Sequence, residues 1–195
     1  MANKFQALCI FCGAHDGSNP AYLAAAREIG TYLADNGIRL IYGGGSLGMM
    51  GAVADACLER GGEVVGVITR YLESRELAHP GATEMRVVEN MLERKQMMGL
   101  LSDAFISLPG GIGTLDELFE MLTWSRLQEH DKPSGLLNVE GYYDELISFC
   151  LKTQVEAGFI TTEDAANLIH AETIPELITK LEEAADLGPS SLYRK

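Results

Sequence analysis

Short apolar segments alternate with amphipathic segments of helical length along almost the whole chain. The apolar segments have roughly 4–6 residues, which is typical of β-strands, and turn residues separate them from the helical patterns. The predicted strands are residues 7–12, 39–42, 64–69, 85–88, 104–108, 135–137 and 168–171. The predicted helices are residues 20–36, 47–60, 71–77, 91–102, 114–129, 142–157 and 174–187.

This alternation is typical of βαβ units, in which a helix connects two parallel strands. We therefore predict a Rossmann-like, doubly wound α/β fold, with a mostly parallel sheet and helices on both faces. Because no linker or repeat divides the chain, we expect one nucleotide-binding domain over residues 1–187 and a flexible tail over residues 188–195. In such sheets, ligands bind beyond the carboxyl ends of the strands.

Charge and composition narrow the class of partner. The net charge of −13 argues against nucleic acid, because a phosphate backbone requires a basic surface. No signal peptide and no apolar stretch of membrane-spanning length is evident, so we predict a cytoplasmic protein with no membrane partner. Cys9 and Cys12 have CxxC spacing but lie in an apolar run, and we interpret them as buried free thiols. We predict neither a metal site nor a cofactor.

A glycine-rich segment, Pro-Gly-Gly-Ile-Gly-Thr-Leu-Asp-Glu at 109–117, follows the strand predicted at 104–108 and precedes a predicted helix. Backbone N–H groups and the helix dipole make such a helix N-terminus a site for phosphate. A carboxylate, Glu117, follows within the first turns of the helix. An alternative is that Thr114 and Glu117 form only a capping box, although capping does not account for the three glycines.

A second glycine-rich segment, residues 43–51, contains a GxGxxG pattern. Dinucleotide binding requires an acidic residue near the end of the next strand, but Arg70 stands there, which would suit only a 2′-phosphate. The glycines could also serve only close packing of helix on strand. We favour a phosphate or ribose contact from Ser46 and the backbone amides of Gly44 and Gly45.

The helix predicted at 91–102 carries adjacent basic residues, Arg94 and Lys95, beside an apolar stripe. The usual interpretation of such a pair is a solvated helix face. In an acidic chain, however, two cations just before the phosphate-loop strand are also candidates for ligand binding.

Taken together, these motifs resemble the LONELY GUY family of cytokinin riboside 5′-monophosphate phosphoribohydrolases, whose members are often labelled lysine decarboxylases. The family pattern is PGGxGTxxE, here residues 109–117, preceded by an arginine–lysine pair, here Arg94 and Lys95. The resemblance extends over residues 11–13, 41–46, 75–77 and 131–143, and therefore over nearly the whole chain. Lysine decarboxylation itself is disfavoured, because no lysine lies in a motif typical of pyridoxal phosphate binding.

The resemblance implies hydrolysis of the N-glycosidic bond of a nucleoside 5′-monophosphate, which gives a free base and ribose 5-phosphate. It implies that Arg94 and Glu117 are catalytic and that the protein is a homodimer with the site near the subunit interface. The implied substrate contacts are Glu76, Lys95, Gly111, Ile112, Gly113, Thr114, Leu115, Asp116 and Thr123. The alternative function is that of a non-catalytic carrier of a nucleotide or phosphorylated cofactor.

Overall fold

The computed structural model describes residues 4–75 and 77–187. These residues form a seven-stranded sheet in the order β4-β3-β2-β1-β5-β6-β7, and every pair of neighbouring strands is parallel. The strands are β1 (Ala7–Phe11), β2 (Arg39–Tyr42), β3 (Val64–Thr69), β4 (Glu84–Val88), β5 (Ala104–Ser107), β6 (Ser134–Leu137) and β7 (Leu168–Ala171). The predicted α/β fold is confirmed, whereas the tail predicted over residues 188–195 lies outside the described residues.

Helices connect the strands in the predicted alternation. They are α1 (Pro20–Asp35), α2 (Gly48–Glu59), α3 (Arg70–Glu73), α4 (Met91–Leu101), α5 (Ile112–Arg126), α6 (Asp144–Ser148), α7 (Gln154–Glu156), α8 (Thr162–Ala165) and α9 (Ile174–Leu187). The helix predicted over residues 142–157 is present from Asp144 to Glu156, but a π-helical segment (Phe149–Thr153) lies within it, between α6 and α7. A 3₁₀ turn precedes it, in which Glu140 and Gly141 adopt positive φ angles of 52° and 69°.

The two faces of the sheet are buried against different helices, which explains why the central strands β1, β3 and β5 consist of buried residues. On one face, Leu8 and Ile10 belong to a core formed with α1, α2 and α9. On the other face, Cys9 and Phe11 pack in a core that includes side chains of α4 and α5. The four cysteines, Cys9, Cys12, Cys57 and Cys150, are free and buried, as predicted for the first two.

The order of the strands reverses direction at β1. From β1 the chain builds β2, β3 and β4 on one side, and it then returns to place β5, β6 and β7 on the other side. The loops after β1 and β5 therefore diverge and leave a crevice at the carboxyl edge of the sheet. Among the described residues, no helix has the length and apolar character needed to cross a membrane.

Candidate active site

A cavity of about 490 Å³ lies in the crevice between the loops that follow β1 and β5. Its polar side is formed by the glycine-rich segment after β5 together with Arg94 and Glu117. Its other walls are largely apolar or aromatic: Cys12, Tyr22, Met49, Met50, Leu72, Met91 and Tyr142. A cavity with this division suits a ligand that has an anionic end and a flat or apolar end.

The glycine-rich segment 109–117 leads into the start of α5, where the sequence predicts an anion site. Gly111 is the N-cap residue of α5, and no side chain caps the helix. The first N–H groups of a helix have no acceptor within that helix, so they are free to bind an anion. A Cβ atom added at Gly111 or Gly113 would meet no heavy atom within 4 Å, so packing within the chain does not require these glycines. The open space beside both residues is where a phosphate would fit.

The capping-box alternative for Thr114 and Glu117 is wrong. Because α5 begins at Ile112, Thr114 lies inside the helix rather than at its N-cap position. The Thr114 side chain instead packs against Gly110, where a Cβ atom would overlap its hydroxyl oxygen. Glu117 is therefore available for another partner.

That partner is Arg94. The Arg94 Nη1 atom donates a hydrogen bond of 2.9 Å to Glu117 Oε1, and the two side chains are only 8% and 10% exposed. Arg94 also donates from Nε to the Val67 carbonyl oxygen at 2.9 Å and from Nη2 to the Gly43 carbonyl oxygen at 3.1 Å. Three acceptors thus hold the planar guanidinium in one orientation. The solvated interpretation of Arg94 is wrong, since its side chain points from α4 into the cavity.

Burial changes the acid–base properties of Glu117. Burial raises the pKa of its carboxyl group above the usual range of a glutamate, and the nearby Arg94 cation only partly offsets this effect. A carboxylate that is costly to ionise and lies beside a fixed cation is typical of a catalytic site. It can accept a proton from water or stabilise a cation that forms next to it.

Lys95, the second residue of the basic pair, does not contact Glu117 and binds two other carboxylates of α5. Its Nζ atom is 3.0 Å from Asp116 Oδ2 and 2.9 Å from Glu120 Oε2. Burial alone would lower the pKa of Lys95, but the hydrogen bonds to Glu120 and Asp116 outweigh burial and raise it. Lys95 is therefore a cation that links α4 to α5, and Asp116, one of its partners, borders the cavity.

The glycine-rich segment at residues 43–51 contributes Met49 and Met50 to the cavity wall, but its first residues lie beside Arg94. A Cβ atom at Gly43 would overlap Arg94 Nη2, so this glycine leaves room for the guanidinium. Gly44 has a φ of 77° and packs against Ile68 and Met85. Gly45 pairs with Ala78, and the Ser46 N–H and hydroxyl both donate to the Leu77 carbonyl oxygen, at 3.0 and 3.3 Å. These contacts favour the packing alternative, and a ligand contact from 44–46 stays a prediction.

The remaining predicted contacts are distributed unevenly. Ile112 is 87% exposed, and Leu115, Asp116 and Thr123 share an outward face of α5, where the Thr123 hydroxyl donates to Phe119 O at 2.6 Å. Glu76 lies outside the described residues. The apolar walls of the cavity, including Met50, were not identified from sequence. No periodic pattern marks them, because they come from several different helices and loops.

Fold and site together define a doubly wound α/β protein with an anion loop and a buried guanidinium–carboxylate pair at its switch point. The family model described as "Possible lysine decarboxylase" matches residues 50–181. The cytokinin riboside 5′-monophosphate phosphoribohydrolase LOG3 of Arabidopsis thaliana is 48% identical over 94% of this chain and 85% of the relative. LOG of Oryza sativa subsp. japonica is 46% identical over 93% of this chain and 74% of the relative.

Solved structures agree on the fold. The structure of TM1055 superimposes with a TM-score of 0.70 at 22% identity and covers 91% of this chain and 99% of that chain. The molybdenum cofactor carrier protein of Chlamydomonas reinhardtii gives a TM-score of 0.68 at 20% identity, over 92% of this chain and 98% of that chain. At these identities the structures show the fold alone. The sequence relatives are much closer, and the chain belongs to the cytokinin riboside 5′-monophosphate phosphoribohydrolase family.

Proposed function

We propose that this protein hydrolyses the N-glycosidic bond of a nucleoside 5′-monophosphate, with adenine or an N6-substituted adenine as the base. The products are the free base and ribose 5-phosphate. The observation that carries the proposal is the placement of the buried Arg94–Glu117 pair beside an uncapped helix N-terminus in one cavity. The phosphoribohydrolase activity of relatives that are 46–48% identical supports the same reaction.

In this proposal the 5′-phosphate binds the backbone N–H groups of residues 111–114. This contact is remote from the reacting carbon and fixes the position of the ribose, so binding energy is used to orient the reaction. Cleavage of the bond between the base and C1′ passes through a ribosyl cation, by analogy with glycoside hydrolysis. The Glu117 carboxylate stabilises that cation and removes a proton from the water that attacks C1′.

Arg94 has two roles in the proposed reaction. It holds Glu117 in place through the 2.9 Å hydrogen bond, and its charge stabilises the electron pair that the leaving base acquires. Because a guanidinium does not give up its proton under ordinary conditions, Arg94 acts through hydrogen bonding rather than as a proton donor. The leaving base takes up a proton from solvent, which balances the proton that Glu117 removes from the attacking water. The methionine and tyrosine walls of the cavity suit the flat base.

The carrier alternative has less support. The carrier proteins with solved structures share the fold at 19–20% identity. An identity this low does not indicate that this chain has the same function. A carrier would also have no need of a buried carboxylate fixed by Arg94, since ionising Glu117 away from water is costly.

The substitution Glu117→Gln tests the reaction. Glutamine has the same shape and can still accept a hydrogen bond from Arg94, but it can neither take a proton nor stabilise a cation. We expect a folded protein in which the release of adenine from AMP falls about 100-fold or more. The matched control is Glu59→Gln, which removes an exposed carboxylate at the end of α2, outside the cavity. A Glu117→Gln protein with the activity of the unaltered protein would contradict the mechanism.

We also propose that the protein is a homodimer. Helices α4 and α5 present large exposed apolar side chains, with exposures of 55% for Leu92, 81% for Leu100 and 42% for Leu127. A groove of about 800 Å³ runs between them, and Trp124 lies in it. Exposed apolar side chains grouped around a groove with polar residues at its border are typical of an interface.

The oligomeric state can be measured by analytical ultracentrifugation. Leu100→Glu places a charge in the proposed interface and should give monomers. Phe159→Glu is the matched control, because Phe159 is 82% exposed and does not line this groove. Dimers that persist in Leu100→Glu would show that another surface is used.

Residues 1–187 act in this proposal as one nucleotide-binding domain in the cytoplasm, without a metal or cofactor. The buried free thiols support a reducing compartment, because the chain uses its cysteines for packing.

A further inference from the structure

Two adjacent tyrosines after β6 reach back to the anion loop. The Tyr142 hydroxyl donates a hydrogen bond of 2.6 Å to the Gly110 carbonyl oxygen, and the Tyr143 hydroxyl donates one of 2.6 Å to the Leu108 carbonyl oxygen. Between them, the Pro109 carbonyl oxygen accepts from the Gly13 N–H at 3.1 Å. Three successive carbonyl groups of the loop are therefore held by three different residues.

The peptide between Gly110 and Gly111 is the one that most requires such a bond. It joins two glycines, which tolerate many backbone conformations, so this peptide can rotate more easily than its neighbours. In a trans peptide the carbonyl group and the following N–H point in opposite directions. The described residues contain no cis peptide bond, so the orientation of the Gly110 carbonyl also fixes that of the Gly111 N–H. A rotated peptide would turn a carbonyl oxygen, which repels phosphate, toward the ligand.

The Tyr142 ring is itself fixed. It packs edge-to-face against Tyr22, with ring centroids 5.4 Å apart, and against Tyr143, with centroids 4.8 Å apart. Its hydroxyl therefore has a defined position above the loop. We propose that Tyr142 is a positioning residue, whose hydrogen bond to Gly110 keeps the Gly111 N–H available for the substrate's phosphate. This inference rests on the proposed function, since it assumes that the loop binds the 5′-phosphate.

Tyr143 provides a matched control within the same loop. Its hydroxyl holds the peptide between Leu108 and Pro109, and because proline has no N–H, this peptide has no donor to offer a ligand. Tyr142→Phe and Tyr143→Phe each remove one hydroxyl bonded at 2.6 Å and keep the ring. Only Tyr142→Phe should weaken phosphate binding. Tyr143 is 2% exposed, so its variant should instead lower the melting temperature.

The experiment is calorimetric titration of each protein with ribose 5-phosphate, inorganic phosphate and adenine. We expect Tyr142→Phe to bind both phosphate ligands about 3- to 10-fold more weakly, as for the loss of one neutral hydrogen bond, and to bind adenine normally. Unchanged affinity for ribose 5-phosphate, or equal losses for it and adenine, would overturn the role of Tyr142. Equal losses of phosphate affinity in both variants would also overturn it. If the unaltered protein does not bind ribose 5-phosphate, the proposed function itself fails.

Discussion

Replacement of Gly43 by alanine tests whether the glycine-rich segment at residues 43–51 leaves room for Arg94 or contacts the substrate. The φ angle of Gly43 lies outside the left-handed region, so alanine is compatible with the backbone. Its Cβ atom, however, would overlap Arg94 Nη2, and the guanidinium must then leave the Gly43 carbonyl oxygen. A hydrogen bond from a charged group contributes about 1.5–3 kcal/mol. If the transition state loses that amount, kcat/KM for AMP falls about 10- to 150-fold.

A double-mutant cycle provides the control for this prediction. In an Arg94→Ala background the overlap disappears, so adding Gly43→Ala should change kcat/KM little. The affinity for ribose 5-phosphate should also be unaffected, because the phosphate binds at the start of α5. Two results would refute the reasoning: independent, additive losses from the two substitutions, or a Gly43→Ala protein that keeps its kcat/KM but binds ribose 5-phosphate weakly.

Two further predictions concern pH. Because burial raises the pKa of Glu117, its carboxylate takes up a proton at a higher pH than an ordinary glutamate, so kcat/KM should fall on acidification already above pH 4.5. An acid limb at or below that pH would contradict the assignment of Glu117 as the base. Burial, followed by the nearby Lys132 cation, lowers the pKa of His130 to about 4. As pH falls from about 6.5 toward 4, the unfolded chain binds this proton and the folded chain does not, so stability is lost. With the partial exposure of the ring taken into account, the loss is roughly 1–2 kcal/mol. Urea denaturation at several pH values should show a smaller pH dependence for His130→Asn, and an equal dependence in both proteins would contradict this.

The sheet could be predicted because its central strands, such as β1, β3 and β5, are buried on both faces and therefore appear as apolar runs. The helix over 142–157 was predicted to within two residues, but apolar periodicity does not reveal the π-helical segment inside it. The start of α5 was misplaced by two residues for a related reason. Thr114 has the residue type of a cap, but its position inside the helix depends on packing against Gly110.

The chemistry of the site was predictable in part. The motif locates an anion loop and a carboxylate, and the resemblance to a family pairs Glu117 with Arg94. The carbonyl groups of Val67 and Gly43, which orient Arg94, belong to distant strands, and backbone acceptors leave no signature in sequence. The Tyr142 hydrogen bond to Gly110 spans 32 residues and depends on the turn after β6. Contacts of this kind follow from the tertiary structure alone.

The most direct test of the central claim is to incubate the purified protein with AMP and with N6-isopentenyl AMP and to follow the free base by chromatography. We predict release of the base from at least one of them, together with ribose 5-phosphate, and the ratio of the two rates identifies the preferred base. No release from either nucleotide, with tight binding of AMP retained, would contradict the proposed hydrolysis and favour a carrier.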